Sequence, residues 1–438
     1  MVARPTRFTT LVVAAATLVL AGCSGGSGNT SGAGATHGSN AGTVNLTFWN
    51  GLTGPDRPAV EKLVSDFNAS QTAVKVTMDI QPWDVLYQKL LPAFQAGTGP
   101  DLVGMDSNQI PVYASKNVLQ PIDSFFTSGG IERSQLVAPA VAAGTFQGKV
   151  YGVPIENTPV LLYYNKKEFQ AAGLDPAKPP TTWDEWAADA KKLTQGSGPD
   201  GKPTQYGLAF GVHDTIELMP ILMWQAGGGI ASEDGATVLL NSEASKQAVS
   251  YWANLVAKDH ISPVGLSGAD ADKLISAGTA AMEVNGPWAT TGYKQAGIDY
   301  GLAMVPTGPN GKQITLGNTT SLVVSAKADA AKVAAAATFY TYWMQSDQQV
   351  AFAAATGFPP FTTNVPDSAL SSNPDVVAFA TYAQYARSLA PGQPNFASIQ
   401  SEIFDPTIEK IFNDPSSVNS ALDGAASQLS SQLVKSGS

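Results

Sequence analysis

Cysteine and histidine are nearly missing from this 438-residue chain, which has one Cys and three His. A single cysteine, Cys23, excludes an internal disulfide framework and any site built from several thiolates. His37, His213 and His260 lie far apart in the sequence, so His-based triads and His-rich metal sites have little material. Long charge runs, heptads and internal repeats are lacking too, which sets aside coiled coils and repeat scaffolds. The formal charge is −10, so a polyanion such as nucleic acid is a poor partner. Beyond Leu20 no apolar run approaches the roughly 20 residues that span a bilayer.

What is present begins with an address. Arg4 and Arg7 precede the apolar run Leu11 to Leu20, and Leu20, Ala21, Gly22 and Cys23 follow. This is the pattern of a secretory signal ending in a lipobox. The expectation is a signal peptide over 1–22 and lipidation of Cys23, with two or three acyl chains holding the protein on the outer face of the cytoplasmic membrane. Loss of Arg4 and Arg7 takes the formal charge from −10 to −12. Residues 23–42 are almost wholly Gly, Ser, Ala, Thr and Asn, with His37 among them, and read as a flexible tether.

From Thr43 onward the chain alternates apolar segments with turn signals over a length that suits two domains. Val44, Leu46 and Phe48 alternate as one strand, and Val74, Val76, Met78 and Ile80 as another. Val60, Leu63, Val64 and Phe67 between them take helical spacing. A helix from about Trp83 to Gln95 stops at Gly97, and Leu102 with Val103 suits a buried parallel strand. Val160 to Tyr164 reads as a strand, and Thr182 with Glu185 forms a capping box. A helix carrying Ala248, Trp252, Leu255 and Val256 precedes strands near Met282 to Val284 and Leu322 to Val324. Helices dominate the last third. The fold class is α/β.

Seven segments in order, "LTFWNG", "GTGPDLVGMDSNQIPVYASKNVLQPID", "YGVPIENTPVLLYYNKKEFQAAGL", "PPTTWDEW", "AAMEVNGPWATTGYK", "YGLAMVPTGPNGK" and "TGFPPFTTN", resemble the family 1 extracellular solute-binding proteins. These are receptors of carbohydrate-type ABC importers. The resemblance implies a two-lobed, periplasmic-binding-protein-like fold with the ligand in a cleft between lobes joined by crossover hinges near Ile155, Gly317 and Phe358. Residues 43–155 plus 318–358 would form the N-terminal lobe, and 156–317 plus 359–438 the C-terminal lobe. It further implies a monomer that takes a neutral sugar or oligosaccharide to the permease subunits, with no cofactor and no metal.

A sugar site needs flat apolar platforms edged by amides and carboxylates. Trp288, in Asn-Gly-Pro-Trp after a strand, matches a tryptophan with which the family commonly stacks on sugar. Trp224, before Gly227 to Gly229, and Trp83, after a strand end, are further platforms or core residues. Trp186 and Trp252 lie on apolar helical faces and belong to a core. Asp106, Ser107 and Asn108 follow a strand and emerge at the carboxyl edge, where ligands collect. Glu156, Asn157 and Thr158 occupy the first crossover, Asn318 and Thr319 the second, and Phe358 the third, stiffened by Pro359 and Pro360. The glycine run 227–229 is no phosphate loop, because no Lys-Ser or Lys-Thr follows it.

Two alternatives remain. "TPVLLYYNK" and "AAGLDP" are close to the glycerophosphodiester-binding branch, although that branch tends to place an arginine near the last crossover, where Arg387 is the nearest candidate here. A secreted glycosidase would share an aromatic-lined cleft but finds no support beyond the presence of carboxylates.

Overall fold

The computed structural model describes residues 42–433, apart from 55, 200, 214–217, 233–236 and 390–392. The expected signal, Cys23 and tether therefore lie outside the described residues.

The chain opens with β1 (Val44–Asn50), α1 (Arg57–Ser70), β2 (Val74–Ile80), α2 (Trp83–Ala96) and β3 (Leu102–Asp106). Parallel pairing sets β1 between β2 and β3. The apolar stripe of α1, Val60, Leu63, Val64 and Phe67, is buried as its spacing requires. α2 ends where Gly97 turns left-handed at φ 77°, a conformation that costs glycine nothing. Leu102 enters one core and Val103 with Met105 another, so β3 is covered on both faces.

β4 (Gly152–Pro159) and β5 (Leu161–Asn165) follow, then α3 (Trp183–Leu193), α4 (Glu243–Asp259), α5 (Gly268–Ser276), β6 (Met282–Asn285) and β7 (Tyr300–Ala303). β8 (Thr315–Val324) returns to the first sheet, α6 (Ala330–Trp343) covers it, and β9 (Ala386–Arg387) pairs with the start of β8. Antiparallel β8 lies between β3 and β4, giving the order β2-β1-β3-β8-β4. A second sheet, β6-β5-β7, is antiparallel throughout. The segment 152–159 was not evident as a strand, because its polar run Glu156, Asn157, Thr158 interrupts the apolar pattern.

The two largest groups of buried apolar side chains lie in different regions. Leu46, Phe48, Val153, Ile155 and Leu322 pack in the first, with Phe361 its last member along the chain. Val160, Leu162, Trp186, Trp252 and Leu316 pack in the second. β4 with the start of β5, and β8, therefore each pass from one core to the other. The two crossing segments are hydrogen-bonded in register from Gly317 opposite Pro159 to Val323 opposite Gly152. An irregularity sets Ile155 and Glu156 together against Thr320, and such a bulge re-aims side chains. Ile155 goes to the core and Glu156 to the cleft.

Trp186 and Trp252 are fully buried and meet edge to face at 4.7 Å, as their helical positions predict. Thr182 caps α3 by accepting from the Glu185 amide at 3.3 Å. The return bond departs from the expected box: the Glu185 carboxylate accepts from Thr181, both amide and hydroxyl, at 2.8 and 2.7 Å. No helix among the described residues is long and apolar enough to cross a membrane.

Phe339 on α6 is fully buried and meets Phe67 at 5.0 Å and Phe48 at 6.1 Å, so it binds α1 and β1 to the helix above them. Phe339→Ala should cost about 3–5 kcal/mol of unfolding free energy, read as an earlier midpoint in chemical denaturation. A loss below about 1 kcal/mol would mean that the first core collapses around the gap.

Candidate functional site

Three successive turns, after β1, β2 and β3, open at the carboxyl edge of the first sheet and deliver Asp56, Trp83 and Asp106 to one place. The crossing strands β4 and β8 bring Glu156, Thr158, Asn318 and Thr320 beneath them. The opposite side contributes Asp272 from α5, and Asn285 and Trp288 from the end of β6 and the loop after it. Together they enclose a cavity of about 590 Å³.

Two glycines make room for the aromatic platforms. A β-carbon at Gly51 would overlap the Trp83 indole, and one at Gly286 would overlap the Trp288 indole. Each ring therefore lies against bare backbone. Trp83 is further held by Tyr87, stacked at 5.7 Å and 21°. Trp288 packs against the cores of both lobes while staying partly exposed. The loop beneath it is fixed by the Gly286 amide, which donates to Asn285 Oδ1 at 2.8 Å, and by the Tyr163 hydroxyl, which donates to the Gly286 carbonyl at 2.8 Å.

Asn318 is the polar hub. Its side-chain oxygen accepts from Ser107 at 2.7 Å, its amide nitrogen donates to Asp106 at 3.3 Å, and its backbone carbonyl accepts from Thr158 at 2.6 Å. The Tyr87 hydroxyl donates to Asp106 Oδ2 at 3.0 Å and accepts from the Asp106 amide at 3.0 Å. Burial nevertheless pushes the Asp106 carboxyl up to about 6, with the Tyr87 hydrogen bond opposing it.

Glu156 is 3 % exposed, and its Oε1 has no hydrogen-bond partner. Burial, and then the neighbouring Asp56 carboxylate, raise Glu156 far above the usual carboxylate range. Asp56 is raised as well, chiefly by burial. Two acids in contact cannot both ionise cheaply, so each disfavours the charged form of the other. On the opposite wall the Asn285 amide donates to Asp272 Oδ1 at 2.6 Å, and the Tyr293 hydroxyl lies 3.2 Å from the same oxygen while contacting Glu283. Burial raises Asp272 and Glu283 too.

Of the residues singled out in the sequence, Trp83, Asp106, Ser107, Asn108, Glu156, Thr158, Trp288, Asn318 and Phe358 line this cavity together. Trp224 does not. It is 7 % exposed, packs in the second core with the Arg387 guanidinium 5.0 Å above its ring, and faces a smaller pocket of about 290 Å³. That pocket shares Ala142, Ala143, Ser388 and Leu389 with the main cavity. Asp56, Asp272 and Gln400 line the main cavity and were missed. Asp56 carries the signal that located Asp106, a position just past a parallel strand. Asp272 and Gln400 sit on helices far along the chain, where nothing local marks them. Among the described residues no cluster of three or more His, Cys, Asp or Glu could hold a metal ion.

Two cores joined by crossing strands, with a concave aromatic and polar site between them, define a two-lobed binding protein. The chain belongs to the bacterial extracellular solute-binding protein family, whose model matches residues 62–378. It is 26% identical over 409 residues to a Brucella abortus protein named as a binding protein, covering 90% of this chain and 94% of that one. The sn-glycerol-3-phosphate-binding periplasmic protein UgpB of Brucella melitensis is 27% identical over 327 residues, 72% of this chain and 74% of its own length. The same fold occurs in the crystal structure of a cyclic alpha-maltosyl-1,6-maltose binding protein from Arthrobacter globiformis, with TM-score 0.75 at 24% identity, covering 89% of this chain and 99% of the other.

For Asp106 the raised value of about 6 lies above the ordinary aspartate value of 3.8, so its charge destabilises the fold. That cost is absent below the unfolded value and complete above about 6. Asp106→Asn should therefore raise the melting temperature of the unliganded protein at pH 7, with the gain fading by about pH 4.5. A gain that is the same at both pH values would show that removal of charge is not its cause.

Proposed function

We propose that this protein is the receptor of an ABC importer, capturing a saccharide outside the cytoplasmic membrane and delivering it unchanged to the permease subunits. The observation that carries this reading is the cavity itself, in which two indoles backed by glycine stand beside amide and carboxylate edges. A sugar ring offers C–H faces to the first and hydroxyl rims to the second. The maltosyl ligand named for the Arthrobacter protein agrees with it.

The UgpB relative favours a second reading, a glycerophosphate ester. A phosphate is held most strongly by cationic donors, and no Lys, Arg or His lines the main cavity among the described residues. Arg387 stands in the adjoining pocket, against Trp224. The saccharide reading is preferred for that reason. A thermal-shift screen of mono-, di- and trisaccharides against glycerophosphocholine separates the two, since a tight ligand raises the melting temperature by mass action. A shift with glycerophosphocholine and none with any sugar would reverse the preference, and sustained release of cleaved sugar would overturn the receptor reading altogether.

The lipobox ending at Cys23 and the uncharged tether support anchoring by acyl chains, with the folded part standing clear of the membrane. Cys23→Ala should release the protein from the membrane fraction while leaving melting temperature and affinity intact. Retention of the variant on membranes would contradict lipidation as the anchor.

Trp288 should contribute a stacking face. Trp288→Ala is expected to weaken ligand binding about ten- to several-hundred-fold, each 1.4 kcal/mol being about tenfold. Titration calorimetry reads the affinity, and the ligand-free melting temperature serves as control. Unchanged affinity in a strongly destabilised variant would assign this indole to the core alone.

A further inference from the structure

We propose that the captured ligand carries a positive charge, an amine or quaternary ammonium group on the saccharide, held between carboxylates on both walls of the cleft. The inference rests on the saccharide-receptor reading and narrows its ligand class, departing from the neutral sugar expected from sequence. One wall supplies Asp56, Asp106 and Glu156, and the other supplies Asp272. No Lys, Arg or His lines the cavity among the described residues, and none of the ion pairs found among them includes any of these four acids. Asp106 accepts from the Tyr87 hydroxyl and the Asn318 amide, and Asp272 from the Asn285 amide with the Tyr293 hydroxyl and the Glu283 carboxyl beside it, so no cation holds either acid. Glu156, nearly fully buried, keeps an oxygen with no partner and has another acid for a neighbour.

The hydroxyls of a neutral sugar would satisfy lone pairs but leave the net charge of the cleft uncompensated. A ligand filling the cavity strips water from the acids that line it, of which Glu156 already feels Asp56 and Asp106, and a buried charge without a counter-charge is costly. A cation removes both the repulsion and much of that cost. It also meets the faces of Trp83 and Trp288, whose ring electrons attract ammonium groups. The same field turns anions away.

Acid offers the protein another way out. Burial, opposed by the Tyr87 hydrogen bond, already lifts Asp106 to about 6, and Asp56, Glu156 and Asp272 are lifted as well. Protonation neutralises the walls, so the preference for a cation belongs to neutral pH and fades as these groups take up protons.

The test uses ligand pairs that differ in one group. Glucosamine is compared with glucose, the β-1,4-linked glucosamine di- and trisaccharides with cellobiose and cellotriose, and choline is included as a cation without a sugar. Binding to the purified protein is measured by calorimetry at pH 7 and pH 5. The amine-bearing member of at least one pair should bind about tenfold or more tighter than its neutral twin at pH 7. Its advantage should shrink at pH 5, and Asp272→Asn should shrink it at pH 7. Neutral twins that bind as tightly or more tightly overturn the charge inference while leaving the saccharide reading in place. Choline binding without any saccharide binding does the reverse, and no binding by any member overturns both.

Discussion

The pairing of residues 152–159 with 317–323 is the constraint on which the rest of the structure depends. Both strands leave one apolar core and enter the other, and their backbone hydrogen bonds run unbroken across the gap except at the Ile155–Glu156 bulge. Because the ladder satisfies the backbone, polar side chains are tolerated at the crossing, and these form the floor of the cleft. Thr158 and Asn318 stitch the strands to each other, and Asn318 extends the network to Ser107 and Asp106 at the end of the third strand. Tyr340, donating to the Pro154 carbonyl at 2.8 Å, ties the same crossing to the helix above the first sheet.

The walls repeat one device on opposite sides. In Trp-Asn-Gly after the first strand and in Asn-Gly-Pro-Trp after Val284, an Asn-Gly pair ends a strand, and the glycine carries an indole flat on its backbone. Trp83 reaches its glycine from the next turn of the sheet, whereas Trp288 lies two residues beyond its own. Rigid platforms of this kind spend little conformational entropy on binding, because the ring is already in place. Beside them the Asp106 and Asp272 carboxyls accept from the neutral donors Tyr87 and Asn285.

Much of this was legible in the residues. Parallel βα alternation marks which strand ends reach the cleft, and Asp106, Ser107 and Asn108 follow from that rule alone. Asp56 obeys the same rule and was overlooked, because the helical spacing from Val60 to Phe67 marks the helix and not the turn before it. The crossing strand at 152–159 was hidden because Glu156, Asn157 and Thr158 break the apolar pattern that reveals strands. Their burial comes from strand pairing and from the cleft, not from hydrophobicity.

By itself the sequence determined the alternating α/β elements, the helical burial of Trp186 and Trp252, and a family resemblance whose candidates Trp83, Asp106, Ser107, Asn108, Glu156, Thr158, Trp288, Asn318 and Phe358 line one cavity. Tertiary structure alone decided the remainder: that Trp224 turns toward Arg387 in an adjoining pocket, that Asp272 lines the same cavity as the first lobe's acids, and that Asp56 and Glu156 meet. The physical reason is distance along the chain. Local periodicity fixes which face of an element is apolar, but which carboxylates share a wall depends on how elements one hundred or more residues apart pack, and no local pattern encodes that.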